Sequence, residues 1–565
     1  MKKNQINRKI AMNKVLVIRI ILAYTLIMLG YILPLNAQVN GTVELYKAYD
    51  PTIGDAYKIN ILPDINDTTN AKTNFTYKVF PKQLPVRYQV TPIQPAKMVG
   101  EPLTKLYSTY LKAGYGNYNT VLGEAGFNLQ RSKNYAAGIF IKHQSSISKL
   151  KLENDIKSPA SYSDNKIDLF GKKIYENSIL HGEASYNRNA CNYYGYDTSL
   201  FHSALEKKDI FQRYDRVSAN VGLLSSYLDS GHINYDVNAK YEYFEDNYSA
   251  YQNWIDVKAR VDNYYKNELI GGNVDVSWVN KNSPIDTVNN ALVVINPFVR
   301  FFGDKWRVEC GLAMNVDAYT DTVSYHFYPT VLLQYNVIEN FLIPFAGFDG
   351  GMIQNHFSNI TKENMFLWPG LQMRNTNNVM NLHAGIRGNF SKRISFLIKG
   401  NYGLYKNMYF FVNDTNGIGN YFNVVYDDET QLLSFNGEIA YKNSEKLNFF
   451  LRGNYYKYTL KTIAKPWHKP GWDVTLTTHY NLRNKIIVSL DVFALGDRYA
   501  QNYKDHNNPF LLKKIIDANL GLEYRYTKIL SAFINFNNVT AGKNYYWNFY
   551  PTERFQIILG LTYSF

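Results

Sequence analysis

Apolar and polar residues alternate with a period of two through most of this chain, the pattern of strands with one apolar and one polar face. In residues 232–244, Ile233, Tyr235, Val237, Ala239, Tyr241 and Tyr243 share one face, and Asn234, Asp236, Asn238, Lys240 and Glu242 share the other. Residues 516–526 set Ile516, Ala518, Leu520, Leu522 and Tyr524 against Asp517, Asn519, Gly521, Glu523 and Arg525. Residues 447–455 and 306–316 repeat the pattern. In the last eleven residues, 555–565, Phe555, Ile557, Leu559, Leu561, Tyr563 and Phe565 fall on one face, with Ile558 the single apolar residue on the other. Such alternation also suits a half-buried strand of a soluble sheet, so no single strand decides the class.

The connections carry the decision. Short turns are expected near 131–133, 175–176, 229–231, 264–267, 303–305, 339–340, 391–393, 444–446, 483–485 and 527–528. Between them lie mostly longer stretches: 149–161, 190–211, 280–289, 355–377, 406–430, 462–470, 498–512 and 538–552. Many strands also reach the about 9–11 residues that cross a bilayer at a tilt. Short turns at one end and longer loops at the other predict an all-β, transmembrane antiparallel β-barrel of about 22 strands, with 409–426 extending an external loop.

The N-terminus sharpens the compartment. Lys2, Lys3, Arg8, Lys9, Lys14 and Arg19 precede an apolar run from Ile20 to about Leu35, and Ala37 precedes Gln38. This predicts a secretory signal peptide over residues 1–37, cleaved between Ala37 and Gln38, with Met12 an alternative start. No later run is apolar enough for a spanning helix, which leaves a barrel as the route through lipid. Residues 38–105 hold Pro51, Pro63, Pro81, Pro85, Pro92, Pro95 and Pro102 and read as an irregular periplasmic or lumenal segment. The barrel is expected over 106–565.

Composition agrees. Hydrophobic residues make up 46% of the chain while mean hydropathy is −0.32, as strands with one polar face require. The 49 tyrosines and 32 phenylalanines suit aromatic girdles at the two membrane interfaces. Two cysteines, Cys191 and Cys310, make no disulfide framework. A net charge of +14 favours anionic partners, for which lipopolysaccharide phosphates and outer-membrane lipid are the expectation; no nucleic-acid motif is present. Lys149, Lys151 and Lys157, and Lys207, Lys208 and Arg213, are expected to face lipid phosphates or solvent.

The C-terminal strand resembles the closing strand of bacterial outer-membrane barrels, which that membrane's barrel-assembly machinery recognises. The segment NLGLEYRY, then FINFNNVTAGKNYYWNFYP, is similar to the C-terminus of TonB-dependent outer-membrane receptors: Asn537, Asn538, Val539, Tyr545, Tyr546, Trp547, Tyr550 and Pro551 stand at the matching positions. Residues 370–389 also resemble such barrels. Tyrosine usage and these motifs look like a protein of the Bacteroidota, and Asp286-Thr287-Val288 and Asp321-Thr322-Val323 resemble its O-glycosylation sequon. The resemblance implies an outer-membrane location and a transport function, with TonB and a periplasmic or surface lipoprotein as partners to be tested. Receptors of that family carry a plug inside the barrel, and residues 38–105 are about half of what a plug needs. The lumen is therefore expected to be filled by that segment, by inward-folded loops or by a partner chain.

Candidate chemistry is sparse. Asp256, Lys258, Arg260 and Asp262 share a lumenal face, as do Arg307 and Glu309, and read as a salt-bridged, solvated interior. The ten histidines lack metal-ligand spacing. No nucleophile–base pair stands out, so neither catalytic residues nor a cofactor are assigned and an enzyme is not expected. Trp467, Trp472, Tyr545, Tyr546 and Trp547 sit in external aromatic stretches, either as ligand contacts or as loop packing. The expected function is passage of a solute across the outer membrane; the alternative is a scaffold subunit for secretion, insertion or surface display.

Overall fold

Alternating strands can bury their backbone polar groups in lipid only by closing on themselves, and this chain does so. The computed structural model describes residues 107–565, apart from 130–131, 228–230, 340, 415–416, 444–445 and 506–507. Its 22 long strands form one antiparallel sheet, each paired with its sequence neighbours, from Thr109–Gly116 to Gln556–Ser564. The first and last strands close the barrel in a register that runs from Tyr110↔Ser564 to Gly116↔Ile558. Two main-chain bonds between Thr109 and Phe565, of 2.9 and 3.0 Å, finish the seam.

The apolar faces point outward. In the last strand Leu559 is 55% exposed and Leu561 57%, whereas Gln556 and Thr562 on the other face are buried. Phe555, Tyr563 and Phe565 are also exposed, and Ile557 partly so. In Asn234–Asp246, Val237 and Tyr241 stand outside while Glu242 is buried within. Ile558, the apolar exception, packs on the inner wall with Leu122 and Phe533. The Phe533 ring lies over Gly560, where a Cβ would come within 2.2 Å of the Ala113 carbonyl oxygen and 2.4 Å of that ring.

One end of the barrel carries short turns throughout. At the other, four connections are also short: 117–119, 247–250, 283–286 and 320–321. A long connection was expected over 280–289, but Glu268–Asn282 and Thr287–Phe302 pair to their ends. These strands have 15 and 16 residues. They exceed the about 9–11 residues that a bilayer requires, so the pairing itself takes up the sequence read as loop.

Elsewhere the long connections are structured. They hold the hairpins Lys149–Lys151/Lys157–Pro159, Met408–Asn413/Phe422–Asp427, Arg498–Ala500/Phe510–Leu512 and Tyr545–Trp547/Tyr550–Pro551. The helix Phe357–Glu363 is the one α-helix among the described residues. The expected extension over 409–426 is the second of these hairpins. The signal peptide and residues 38–105 lie outside the described residues.

Candidate functional site: a polar lumen under a cap of loops

Inward positions along the strands are polar, so the inner wall is a lattice of amides and charges. Asn436 donates to Asn454 at 2.8 Å, and Asn454 donates to Asp473 at 2.8 Å, forming a rung across neighbouring strands. Lys399, Glu438 and Arg452 join this rung around a recess of about 590 Å³. Elsewhere on the wall Arg260 pairs with Asp262 at 2.8 Å and Lys258 with Asp256 at 3.2 Å, as their shared face suggested. Glu309 takes Arg300 as its partner, at 2.5 Å.

At the long-loop end the loops turn inward and cross the mouth. The connection 354–375 leaves the strand Ile343–Ile353 and reaches the strand Phe211–Ser225, seven strands away round the sheet. Wall side chains hold it by its main-chain carbonyls. Tyr193 donates to Leu367 O at 2.8 Å, Tyr214 to Met365 O at 3.0 Å and Arg216 to Ser358 O at 2.9 Å. Lys281, fully buried, donates to Leu371 O at 2.5 Å, and Tyr319 donates to Met373 O. Each such bond satisfies a carbonyl that burial would otherwise leave unpaired.

The apolar residues of these loops then make a core of their own. Phe357, Ile360 and Leu367 from 354–375 pack with Phe411 and Phe422 of the neighbouring hairpin and with Tyr550 of the last loop. Trp547 meets Phe411 and Phe422 edge-on, with ring centroids 5.0 and 5.5 Å apart. The cap is thus a small hydrophobic core suspended across a polar lumen.

Charged and polar anchors fix the loops to one another. Arg498, 2% exposed, forks onto two successive carbonyls, Tyr545 O and Tyr546 O, at 2.8 Å each. Burial lowers its pKa to about 10. Asp427 accepts the main-chain N–H groups of Lys461, Thr462 and Ile463 and the hydroxyls of Thr430 and Thr462. Burial opposes its charge, but these donors prevail and hold the carboxyl below its ordinary value. His468 donates from Nδ1 to Phe411 O at 2.9 Å and accepts the Asn548 N–H at 3.4 Å. His356 accepts Gln252 Nε2 at 3.0 Å. Burial pushes both imidazoles down to about 3.

The motif around residue 538 has an architectural part here. Asn538, at φ 48°, donates to Gly542 O and Glu553 O at 3.0 and 2.9 Å, clasping the two ends of the last loop. Of the external aromatics singled out in the sequence, Trp467 is 5% exposed and packs with Phe410 and Val412. Trp547 is partly buried in the cap, Tyr545 half-buried, and Trp472 and Tyr546 are exposed. Lys151, Lys208 and Arg213 each pair with a nearby carboxylate, from Asp155, Glu206 and Asp215. Thr287 and Thr322 stand exposed beside two of the short turns at the long-loop end.

Sequence reading missed the trio Glu242, His356 and Ser358, in which Glu242 lies over a hundred positions from the other two. Ser358 donates to Glu242 at 2.5 Å, while His356 Nδ1 already accepts from Gln252. All three are buried, and the Ser358 hydroxyl, 3.2 Å from His356 Nδ1, is already committed to Glu242 and is not presented to solvent. The trio latches the helix Phe357–Glu363 to the wall. Cys191 is buried and Cys310 exposed, both free. Among the described residues no group of three or more His, Cys, Asp or Glu could hold a metal ion.

No protein-family model matches the chain, and no curated protein is similar to it in sequence. Solved structures are similar in fold. The FrpB iron transporter of Neisseria meningitidis (F3-3 variant) superposes with a TM-score of 0.63 at 9% identity, over 82% of each chain. The siderophore receptor PirA of Acinetobacter baumannii gives 0.61 at 9% identity, over 82% of this chain and 81% of its own. The pyoverdine receptor FpvA of Pseudomonas aeruginosa PAO1, bound to pyoverdine, gives 0.59 at 12% identity, over 82% and 79%. The fold is a closed 22-strand β-barrel of the outer-membrane kind. At these identities the likeness extends to architecture alone.

Proposed function

We propose that this chain passes a solute across the outer membrane through its lumen, as a barrel resembling those of TonB-dependent receptors, with the cap of loops as its outer gate. The observation that carries the reading is the pairing of a polar inner wall with a cap that crosses the mouth and is anchored from both sides. A polar wall offers hydration to a polar solute, while the cap's small core must come apart or swing aside before anything passes from outside. The solved structures similar in fold include an iron transporter and siderophore receptors, and receptor-mediated uptake of a solute of that kind belongs to the same proposal. Residues 1–37 then act as the export signal, and the outward row from Phe555 to Phe565 as the signal read by the barrel-assembly machinery. Any engagement of TonB falls to residues 38–105.

Conductance in planar bilayers tests the reading. Four forms of the mature chain 38–565 would be recorded: unaltered, lacking 38–102, carrying Arg498→Ala with Lys281→Met, and carrying both changes. The expected result is silence or rare openings of the unaltered chain, and steady conductance once the cap is loosened. If the form with both changes is silent, the lumen does not conduct and the transport reading falls. If all four conduct equally, the cap is no gate.

A further inference from the structure

Two adjoining cavities lie where the cap meets the inner wall, of about 450 and 310 Å³, and they share Tyr194, Met365, Phe366 and Thr552. Their common wall is a fixed aromatic corner. Phe366 stacks on Tyr550 with centroids 3.9 Å apart, and Tyr194 meets Tyr550 edge-on at 4.8 Å. The Tyr194 hydroxyl is tied to Pro551 O at 2.7 Å, so its ring cannot swing into the space. Tyr162, Cys191 and Leu150 continue the larger chamber, and Trp547 lines the smaller.

Glu553 stands in this largely apolar wall. One of its oxygens accepts the Ser146 hydroxyl at 2.5 Å and the other the Gln556 amide at 3.2 Å. Among the described residues no lysine or arginine is paired with it, and burial pushes its carboxyl above the ordinary range. The neighbouring Thr552 places a buried hydroxyl oxygen in the same wall, with no hydrogen-bond partner among the described residues. The one lysine of the two chambers, Lys362, lies in the smaller one with Glu363, away from Glu553. A desolvated carboxylate beside aromatic faces is the surrounding that attracts an ammonium group, through charge and through the ring quadrupoles together. A cavity of several hundred Å³ has room for the body that carries it.

We propose that this cavity binds an organic cation, an amine or quaternary ammonium on an apolar body, with Glu553 as counter-ion and the rings of Tyr162, Tyr194 and Phe366 around the charge. The inference deepens the transport reading by giving the gate a ligand class, and it rests on that reading only for the ligand's onward passage. Binding in detergent and conductance in bilayers succeed or fail separately, so the two failures are distinguishable.

The test titrates the full chain in detergent micelles with benzyltrimethylammonium, followed by tryptophan fluorescence, with benzyl alcohol as the neutral comparison. Saturable binding of the cation is expected, well ahead of the alcohol. Glu553→Gln is expected to weaken the cation by roughly tenfold or more and to leave the alcohol unchanged, since only the cation loses a charge partner. Heat-dependent migration in gels checks that the variant is a closed barrel. Three results would overturn the proposal: no saturation by the cation, equal binding of alcohol and cation to the unaltered chain, or unchanged cation binding in a folded Glu553→Gln barrel. The first and second need no variant.

Discussion

At the scale of single residues, the cap depends on a few buried donors. Arg498 serves two carbonyls at once, so Arg498→Met leaves Tyr545 O and Tyr546 O unpaired in an apolar setting. The expected loss is roughly 1–3 kcal/mol of local stability, read as faster hydrogen exchange and earlier protease clipping within 538–555. Strand pairing near Thr109–Gly116 should keep its protection. If that strand loosens equally, Arg498 supports the whole barrel and not the cap. None of this was legible in the sequence. Nothing in the sequence sets Arg498 and Lys281 apart, because their carbonyl partners lie 47 or more positions away and carry no side-chain code. The same holds for Glu242, His356 and Ser358. By contrast, Asn538 and its neighbours were visible as a motif, since their bonds are local and need particular side chains.

At the scale of elements, legibility follows from periodicity. A strand that spans lipid must alternate over many residues, and the closing strand does so from Phe555 to Phe565. Its outward face is therefore open to a direct test. Leu561→Arg places a cation in the hydrocarbon and is expected to cost about 2–4 kcal/mol if the site lies near the midplane. Urea titration in lipid bilayers measures it, and a cost under about 0.5 kcal/mol for arginine at Leu559 as well as at Leu561 would mean that this face does not meet lipid. Gly560→Ala is an inward counterpart. It drives a methyl into the Ala113 carbonyl oxygen and the Phe533 ring, so the seam between first and last strands should weaken although hydrophobicity rises. The cap hairpins escape such reading. Tyr545–Trp547 and Arg498–Ala500 are three residues long, too short for any period to show. Their aromatic content was visible, but whether those rings face a ligand or one another is set by loops that arrive from across the barrel.

At the scale of the molecule, the barrel and its cap should respond differently to acid. His356 and His468 are neutral inside the cap, with pKa values near 3 against an ordinary 6.5. Between those limits the opened cap binds protons that the closed cap refuses, so closure weakens as pH falls, by ~1.4 kcal/mol per pH unit for each histidine. The surroundings of the two rings differ in detail but agree in sign. Glu242 faces His356 and favours its charge, while Lys362, Lys240 and Arg216 oppose it; Arg498 and Lys469 oppose charge on His468. Asp197 and Asp427, held below 3.8, add a further loss only when pH falls through their own lowered values. Glu553 works in the other direction. Its raised pKa favours the closed cap in acid and withdraws that support as pH rises past 4.5 toward the folded value. With Glu553 opposing them, the two histidines set the expectation of a cap that opens progressively below about pH 6. The strand ladder is held by main-chain bonds that do not titrate, so the barrel should stay shut to unfolding over the same range. Conductance and hydrogen exchange of 354–375 and 538–555, recorded from pH 7 to 4, separate the two. Rising conductance with intact ladder protection fits a gate hinged on buried imidazoles, and His468→Gln should shift the onset toward lower pH. A cap equally protected at pH 7 and 4 would show that those histidines keep their neutral surroundings at no cost to closure.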